Sequence, residues 1–330
     1  MLSNTIMEFE QELNKSLKRI LDSKSLPLYD MMAFHFGLHG NDTGIIPDRF
    51  YGKLLKISHD AIKKSDADIS TIALSLEMIN AFLEIHDDIE SGNPKRKNTD
   101  ALWWIWGPAQ AINAGNAMHA FARLIVFDLE DHGYSSDLAY KSIDWVDHAC
   151  LKSLEGRYRD LHMQEGLITS IDAYTLMAGD KSGALIGASL AISGLLAGKN
   201  KTQQNLLFQS GIDIGIAQQI KMDIDQLWPK NDSNKSIEFL NKKKLFPVVA
   251  ALDVASASEK RILGEVYFKR VLESKDILTV QNVVEKLGAK QSSLDSFAKF
   301  KNQSYEKINE VIDFKESDLQ IYLDKFMDPQ

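Results

Sequence analysis

Residues that interrupt helices are scarce in this sequence, which has 7 prolines and 19 glycines among 330 residues. Because proline removes a backbone donor and glycine weakens a helix, their scarcity favours long helices. Cysteine occurs once, at Cys150, which excludes an intramolecular disulfide and a metal site built from several cysteines. No activating group is readable beside Cys150, so we interpret it as a small buried residue.

Positive charge is also in short supply, since 38 lysines and arginines face 46 acidic residues and leave a net charge of −8. This balance argues against a nucleic-acid partner, which would require a basic stripe. The strongly apolar, uncharged stretch over residues 182–198 is shorter than the ~20 residues that span a bilayer, and we expect no transmembrane segment. The first residues show no basic region followed by an apolar run, and we expect a cytoplasmic protein.

Helical periodicity dominates what is present. Ile72, Leu76, Ile79 and Leu83 recur at spacings of three and four and form one apolar stripe. This stripe lies within residues 68–90, and similar patterns cover residues 108–132, 137–165, 171–196, 203–227, 243–273 and 289–313. No segment shows a strand-like alternation of useful length. Several helices are apolar on more than one face, which predicts a single all-α domain over residues 1–330, a multi-helix bundle around a central cavity.

An acidic cluster closes the helix over 68–90, where Asp87 and Asp88 follow a long apolar stretch. Adjacent aspartates at a buried helix end are costly without a partner, and their charge opposes the helix dipole there. Mg²⁺ would offset both effects, because it favours carboxylates that share it with substrate phosphates. The basic run Lys95-Arg96-Lys97 follows shortly afterwards.

These residues resemble a known family. The segment FLEIHDDIESGNPKRKN, followed by WGPAQAINAGNAM, is similar to the first aspartate-rich motif of the trans-isoprenyl diphosphate synthases and to the helix after it. Further matches follow the order of the family's motifs. They are Gly52-Lys53 with Lys56, Glu155-Gly156 with Asp160, Lys181-Ser182-Gly183, the segment GIDIGIAQQIKMD ending at Asp223, and Lys242-Lys243-Lys244 with Pro247. The resemblance covers roughly residues 28 to 260.

The resemblance implies an all-α isoprenoid-synthase bundle that forms a homodimer, or a heterodimer with a related synthase. It implies isopentenyl diphosphate and an allylic diphosphate as substrates, with Mg²⁺ held between two aspartate helices. The implied catalytic residues are Asp87, Asp88, Lys181, Gln219 and Asp223, and the implied metal ligands are Asp87, Asp88 and Asp223. The implied substrate-binding residues are Lys53, Lys56, Asn80, Phe82, Arg96, Lys97 and Lys221. A bulky residue at Phe82 implies products of farnesyl to geranylgeranyl size.

Departures from the family pattern fall on acidic positions. Ser91 stands at the end of the first motif, Met222 at the start of the second, and Asn116 where many relatives carry aspartate. Positive charge at the matched positions is retained, although Lys56 and Lys97 replace arginines that bind phosphate differently. A site that keeps cations and loses carboxylates is expected to hold a diphosphate better than Mg²⁺.

Three functions are compatible with this pattern. The first is a divergent short-chain prenyl synthase, supported by the number and order of the matched motifs. The second is a non-catalytic subunit that binds a true synthase, which would explain the lost acids. The third is a terpene cyclase on the same fold, but the sequence lacks a second cyclase-type metal motif. We predict the first, with a weakened metal site.

Overall fold

The computed structural model describes residues 4–38, 47–63, 68–96, 99–166, 169–229 and 241–327. Over these ranges the chain is helical apart from one two-stranded ribbon, which confirms the predicted all-α class. The helices are α1 Asn4–Asp22, α2 Pro27–His35, α3 Phe50–Ile62, α4 Ser70–Ser91, α5 Leu102–Trp106, α6 Pro108–Phe127, α7 Ser136–Glu165, α8 Ile171–Ala178, α9 Ala184–Leu196, α10 Lys201–Leu227, α11 Phe246–Val254, α12 Ala257–Tyr267, α13 Ser274–Lys286, α14 Ala289–Asn309 and α15 Asp318–Met327. A 3-10 turn, Asp128–His132, follows α6, and a π-helical turn, Gly179–Gly183, joins α8 to α9.

Two compact units make up the chain. Unit 1 contains residues 1–150, 188–208 and 311–322, and unit 2 contains residues 151–187, 209–310 and 323–330. The predicted single domain over 1–330 stays a prediction. No described helix is both long enough and apolar enough to cross a membrane, and the predicted cytoplasmic location also stays a prediction.

Helix α4 lies at the centre of unit 1, where it packs against α3 and α6. Its apolar stripe is buried as predicted, with Ile72, Leu76 and Ile79 all inaccessible to solvent. The helix ends at Gly92, which adopts the left-handed conformation (φ 65°) and donates its N–H to the carbonyl of Ile89. Glycine is the residue that accepts this φ without strain, and the turn leaves Asp87 and Asp88 in the last helical turn.

Unit 2 is built on close backbone approaches between helices. A Cβ atom on Gly215 would lie 2.2 Å from Cα of Gly183, and one on Gly211 would lie 2.3 Å from Cα of Gly187. A Cβ atom on Gly156 of α7 would lie 2.3 Å from the backbone nitrogen of Lys181. The π-helical turn that carries Lys181 is therefore fixed from two sides, since no larger residue fits at these crossings.

The sequence pattern over 243–273 predicts one helix, and the structure contains two. Helix α11 begins at Phe246 with Pro247 in its first turn, where the missing N–H of proline costs nothing. Helix α12 then begins with a capping box, in which Ser256 and Glu259 each bond the other's backbone N–H. The paired caps make a helix start at Ser256 more stable than continuation from α11.

Two very short strands, β1 Lys95–Arg96 and β2 Thr99–Asp100, pair antiparallel after α4. These strands were not predicted, because two residues are too few to show an alternating pattern. The ribbon places Arg96 beside the end of α4, within hydrogen-bond distance of Asp87 and Asp88.

Candidate functional site

In unit 1, the guanidinium group of Arg96 binds the carboxylates of Asp87 and Asp88, which we call, together with Glu84, the first acidic cluster. Arg96 donates from Nε to both carboxylate oxygens of Asp88, each at 3.0 Å, and from Nη2 to Oδ2 of Asp87 at 3.0 Å. Its Nη2 also donates to the main-chain carbonyl of Glu84 at 3.3 Å. The predicted metal ligands Asp87 and Asp88 and the predicted substrate-binding residue Arg96 thus form one contact group. Lys97, the other cation expected here, lies outside the described residues.

Glu84 adds a third carboxylate to this group. Its Oε1 lies 3.6 Å from Nη1 of Arg96, and its Oε2 lies 3.3 Å from Nε2 of His35 on α2. A small cavity of about 40 Å³ opens beside these side chains. Its lining consists of Phe34, His35, Pro47, Glu84, Asp88, Arg96, Thr99, Asp100, Ala101 and Leu102.

Burial and charge act against each other within the group. Burial raises the pKa of Asp88 above its ordinary value, although Arg96 acts in the opposite direction. Burial alone would lower the pKa of Arg96, but the charges of Glu84, Asp88 and Asp87 raise it overall. Arg96 is therefore held as a cation by three surrounding acids.

The Gly-Lys element on α3 is anchored to α4 by Glu77. The backbone N–H of Gly52 donates to Oε1 of Glu77 at 2.8 Å, and both residues are buried. Lys53 is paired with Asp48 and lies 3.2 Å from Glu10, whereas Lys56 lies 2.7 Å from Asp60. The two lysines predicted to bind substrate thus each have an acidic partner within unit 1.

We expect Glu77→Gln to change how stability depends on pH. Burial raises the pKa of Glu77 from 4.5 to about 7, against the lowering effects of Arg49 and the Gly52 N–H. The protonated carboxyl therefore stabilises the folded chain below the unfolded-state pKa, and this stabilisation is lost as pH rises through 7. From pH 5.5 to pH 8 the loss is about 2 kcal/mol.

Chemical denaturation of both proteins at these two pH values measures the effect. The free energy of unfolding of Glu77→Gln should gain about 2 kcal/mol relative to wild type as pH rises from 5.5 to 8. Glu265→Gln is the matched control, because Glu265 is exposed and pairs with Arg261 on the surface of the same helix. A Glu77→Gln protein that keeps the wild-type pH dependence would contradict the raised pKa.

The remaining positions of unit 1 named from the sequence lie on or near α4. Phe82 is buried with its ring centroid 4.6 Å from that of His86 and 5.0 Å from that of His119. Asn80 is half-buried. Ser91, which stands where the family carries an acid, donates its hydroxyl to the carbonyl of Asp87 at 2.5 Å. The predicted roles of Phe82 and Asn80 stay predictions.

Unit 2 contains the opposite arrangement, in which cations surround one acid. Nζ of Lys181 lies 2.5 Å from Oδ2 of Asp160, and Nη1 of Arg157 lies 3.2 Å from the same oxygen. Burial would raise the pKa of Asp160, but the charges of Lys181, Lys243 and Arg157 lower it overall. We call Lys181, Arg157, Lys243 and Asp160 the unit 2 cationic cluster. The formal net charge of these four side chains is +2.

The lysine-rich stretch before α11 has an unusual backbone. Lys242 adopts a left-handed conformation (φ 63°), which is uncommon for a residue with a side chain. Lys244 is buried, with Nζ 4.3 Å from the ring centroid of Tyr267. Burial, together with the charge of Lys242, lowers the pKa of Lys244 to about 8. The stretch thus concentrates cations, one of them poorly solvated, next to the start of α11.

Asp223 accepts three hydrogen bonds inside unit 2. Tyr174 donates its hydroxyl to Oδ2 at 2.5 Å, the backbone N–H of Phe246 donates to Oδ2 at 2.7 Å, and Nε2 of Gln219 donates to Oδ1 at 2.9 Å. Asp223 is only 2% exposed. These contacts assign the carboxylate a structural role, and the role as a metal ligand that the resemblance implies stays a prediction.

The other predicted residues of α10 have partners nearby. Gln219 also accepts from the hydroxyl of Ser182 at 3.0 Å. Nζ of Lys221 lies 2.7 Å from Oδ2 of Asp225, one helical turn further on. Met222, which replaces the leading acid of the second motif, is 43% exposed. The residues around Gln219 thus form a connected network, and Lys221 forms an ion pair with Asp225.

The arrangement of carboxylates does not fit a bound Mg²⁺ ion. Carboxylate oxygens are the ligands that Mg²⁺ prefers, but those of Asp87 and Asp88 hold Arg96, and those of Asp223 hold three protein donors. Within the described ranges, no group of three or more His, Cys, Asp or Glu side chains is arranged to hold a metal ion. Asp87 and Asp88 belong to unit 1 and Asp223 to unit 2, and the prediction that they face one cavity stays a prediction.

Comparison with known proteins decides the family. The family model of the polyprenyl synthetases matches residues 49–286, which is more than half of the chain. The chain belongs to the polyprenyl synthetase family. The predicted family is therefore confirmed, and the protein is of the prenyltransferase class.

The curated relatives of this chain include short-chain isoprenyl diphosphate synthases. A geranylgeranyl diphosphate synthase of Mycobacterium tuberculosis is 25% identical over 279 residues, which are 82% of this chain and 79% of the relative. A geranylgeranyl diphosphate synthase of Sulfolobus acidocaldarius is 24% identical and covers 86% of this chain and 84% of its own length. A farnesyl diphosphate synthase of Mycobacterium bovis is 25% identical, with 76% of this chain and 70% of the relative covered.

Solved structures of the family have the same fold. A polyprenyl synthetase from Streptomyces coelicolor A3(2) superposes with a TM-score of 0.83 at 22% identity, covering 98% of this chain and 99% of the other. A geranylgeranyl pyrophosphate synthetase from Pyrococcus horikoshii gives a TM-score of 0.83 at 20% identity, with 98% of each chain covered. The predicted isoprenoid-synthase fold is thus confirmed.

Several residues of these contact groups were absent from the predicted site. Glu84 lies three residues before Asp87 and four before Asp88, a spacing that places all three on one helix face. Arg157 and Asp160 share the same spacing on α7. Helical spacing alone could therefore have predicted that Glu84 and Asp160 lie beside these residues. The contact between Glu84 and His35 joins two different helices, and no pattern in the sequence predicts it.

Proposed function

We propose that this chain joins isopentenyl diphosphate to an allylic diphosphate and releases an isoprenyl diphosphate of farnesyl to geranylgeranyl size. The printed names of its curated relatives support this substrate class and this range of product lengths. The unit 2 cationic cluster carries the proposal, because its surplus of positive charge suits a diphosphate group.

The reaction breaks the C–O bond between the allylic carbon and its diphosphate, and the diphosphate leaves with the electron pair. The double bond of isopentenyl diphosphate attacks the allylic cation, and loss of a proton then forms the new double bond. Negative charge grows on the leaving diphosphate as the C–O bond lengthens. Fixed cations stabilise that charge most effectively in a site that excludes water.

Lys181 and its neighbours meet this requirement. Lys181 is held at the π-helical turn by the close approach of Gly156, and its ammonium group is already oriented by Asp160. Arg157 adds a planar guanidinium, which binds phosphate oxygens in pairs. We propose that Lys181, Arg157 and Lys243 bind the allylic diphosphate and that Asp160 keeps them in position.

The acceptor substrate is assigned to unit 1. Lys53 and Lys56 lie one helical turn apart on α3, and their acidic partners fix the two ammonium groups on this helix. We propose that they bind the diphosphate of isopentenyl diphosphate together with Asn80, and that Phe82 limits the length of the product. A divalent cation, when bound, would neutralise part of the charge on the leaving diphosphate.

Incubation of the purified chain with Mg²⁺, isopentenyl diphosphate and geranyl or farnesyl diphosphate tests the proposed function. We expect a product longer by one or two isoprene units. Retained diphosphate binding without any turnover would instead support a non-catalytic subunit. Hydrocarbon formed from the allylic substrate alone would support a terpene cyclase, and either result would overturn the proposal.

We also propose that two copies of the chain associate through the exposed face of α6. Ile112, Leu124 and Phe127 on this helix are 41%, 60% and 52% exposed, and Arg123 is the sole Lys, Arg, Asp or Glu among its 20 residues. A second copy can present the same apolar face, which is the usual basis of a two-fold interface.

Light scattering during size-exclusion chromatography measures the assembly. We expect wild type to have twice the mass of one chain and the double variant Leu124→Glu with Phe127→Glu to have the mass of one. Leu278→Glu is the control, since Leu278 is equally exposed on α13 of unit 2. A wild-type monomer, or a double variant that stays dimeric, would exclude this face.

A further inference from the structure

Among the described residues, the first acidic cluster brings Arg96 together with three acids, Asp87, Asp88 and Glu84. All three nitrogens of the Arg96 guanidinium are engaged, with Nε on Asp88, Nη2 on Asp87 and Nη1 facing Glu84. The formal charge of these four side chains is negative by two. A metal ion that bridged the same acids would need oxygens that now accept from the guanidinium.

Glu84 shows that this arrangement is built into the sequence. It lies one helical turn before Asp87 and Asp88 and points at the same guanidinium, with its other oxygen 3.3 Å from Nε2 of His35. Asp88 is buried and receives two hydrogen bonds from Arg96. A buried carboxylate needs such a partner, and the planar guanidinium matches both of its oxygens.

We propose that Arg96 is the resident cation of the first acidic cluster and excludes a free divalent ion until a diphosphate draws the guanidinium away. This inference rests on the proposed function for the identity of the diphosphate. The arginine side chain is 26% exposed, so a phosphate group can approach it from solvent. Phosphate oxygens bind a guanidinium in pairs as carboxylates do, and a diphosphate offers more charge.

Binding of the two ligands is then coupled. A diphosphate that binds Arg96 releases Asp87 and Asp88 for a metal ion, and a metal ion bound there releases Arg96 for the diphosphate. By thermodynamic linkage each ligand raises the affinity for the other by the same factor.

Titration of the full chain with Mn²⁺, followed by the electron paramagnetic resonance signal of the free ion, tests the inference without any turnover. In the absence of diphosphate we expect Arg96→Gln to bind Mn²⁺ at least tenfold more tightly than wild type. Lys95→Gln is the matched control. It removes the same charge from the same strand, but Lys95 is exposed and faces Asp100 at 4.0 Å. Its affinity for Mn²⁺ should match that of wild type.

Arg96→Gln leaves Asp88 buried without its cation, so a second variant and a second measurement are needed. Arg96→Lys keeps the charge and one point of contact, and we expect an affinity for Mn²⁺ between those of wild type and Arg96→Gln. In protein labelled with ¹⁵N-arginine, the Nε–Hε resonance that is missing from Arg96→Lys belongs to Arg96. Inorganic diphosphate should shift this resonance in wild type.

The outcomes separate this inference from the proposed function. The inference would be overturned, even in an active enzyme, if wild type bound Mn²⁺ as tightly as Arg96→Gln or Arg96→Lys. It would also be overturned if the Arg96 resonance did not shift when diphosphate is added. A chain that fails to elongate any allylic diphosphate but shows the tenfold gain would overturn the proposed function and leave Arg96 as the resident cation.

Discussion

Lys181→Ala is expected to lower the rate of prenyl transfer by about 10²- to 10³-fold, the usual effect of removing one fixed group that stabilises developing negative charge. Nζ of Lys181 lies 2.5 Å from Asp160, and the side chain is only partly accessible to solvent. The ammonium group is therefore oriented before substrate binds. The loss should appear in kcat more than in KM, because the charge on the leaving diphosphate grows in the transition state.

We expect Lys181→Ala to fold like wild type. Asp160 keeps Arg157 and Lys243 as neighbours after Lys181 is removed, so no buried carboxylate is left without a cation. Lys152→Ala is the matched control, since Lys152 of α7 also pairs with a buried aspartate, Asp180, but has a side chain that is 44% exposed. Steady-state rates and circular dichroism of both variants give the comparison. A Lys181→Ala protein with more than a third of the wild-type rate would rule out the proposed role of Lys181.

Much of the fold follows from the sequence because the helices are long and strongly patterned. The apolar residues of α4 repeat every three to four positions, and the predicted range 68–90 agrees closely with the observed helix Ser70–Ser91. The break between α11 and α12 was missed because no glycine or proline marks it. The signal was the serine and glutamate of the capping box, Ser256 and Glu259, within a sequence that is otherwise compatible with one helix.

The candidate site was harder to predict than the fold. The sequence identified Asp87, Asp88 and Arg96 as residues for a metal and for a diphosphate, but it did not show that they contact one another. That contact depends on the reversal of the chain after Gly92 and on the short ribbon that carries Arg96. Charge counting predicts which side chains a site retains, whereas three-dimensional contacts decide which of them neutralise each other.

Contacts between distant parts of the chain also decide the surroundings of the second aspartate motif. There the predicted metal ligand, Asp223, accepts hydrogen bonds from protein donors. Asp223 and Gln219 lie four residues apart on α10, so their contact follows from helical spacing. Tyr174 comes from α8, and the N–H of Phe246 comes from the first turn of α11. Asp223 therefore joins α8, α10 and α11 within unit 2.

Asp223→Ala is expected to lower the free energy of unfolding by about 4 kcal/mol, because it leaves three donors of a buried site without an acceptor. Urea denaturation at neutral pH, with and without Mg²⁺, measures the loss. Asp225→Ala is the matched control on the same helix. Asp225 is 43% exposed at its side chain and pairs with Lys221 one helical turn away, so its loss should cost under about 1 kcal/mol.

Asp223→Asn is expected to lie between these two, at about 1 to 2 kcal/mol. An asparagine oxygen in the place of Oδ2 still accepts from Tyr174 and Phe246, and a turned amide of Gln219 can then accept from the asparagine. The turned amide faces Ser182, whose hydroxyl accepts as well as it donates. If Asp223 served mainly as a metal ligand, Asp223→Ala would unfold like wild type in the absence of Mg²⁺ and would lose only the stabilisation that Mg²⁺ adds. Equal loss with and without the ion would instead establish the carboxylate as the acceptor that joins α8, α10 and α11.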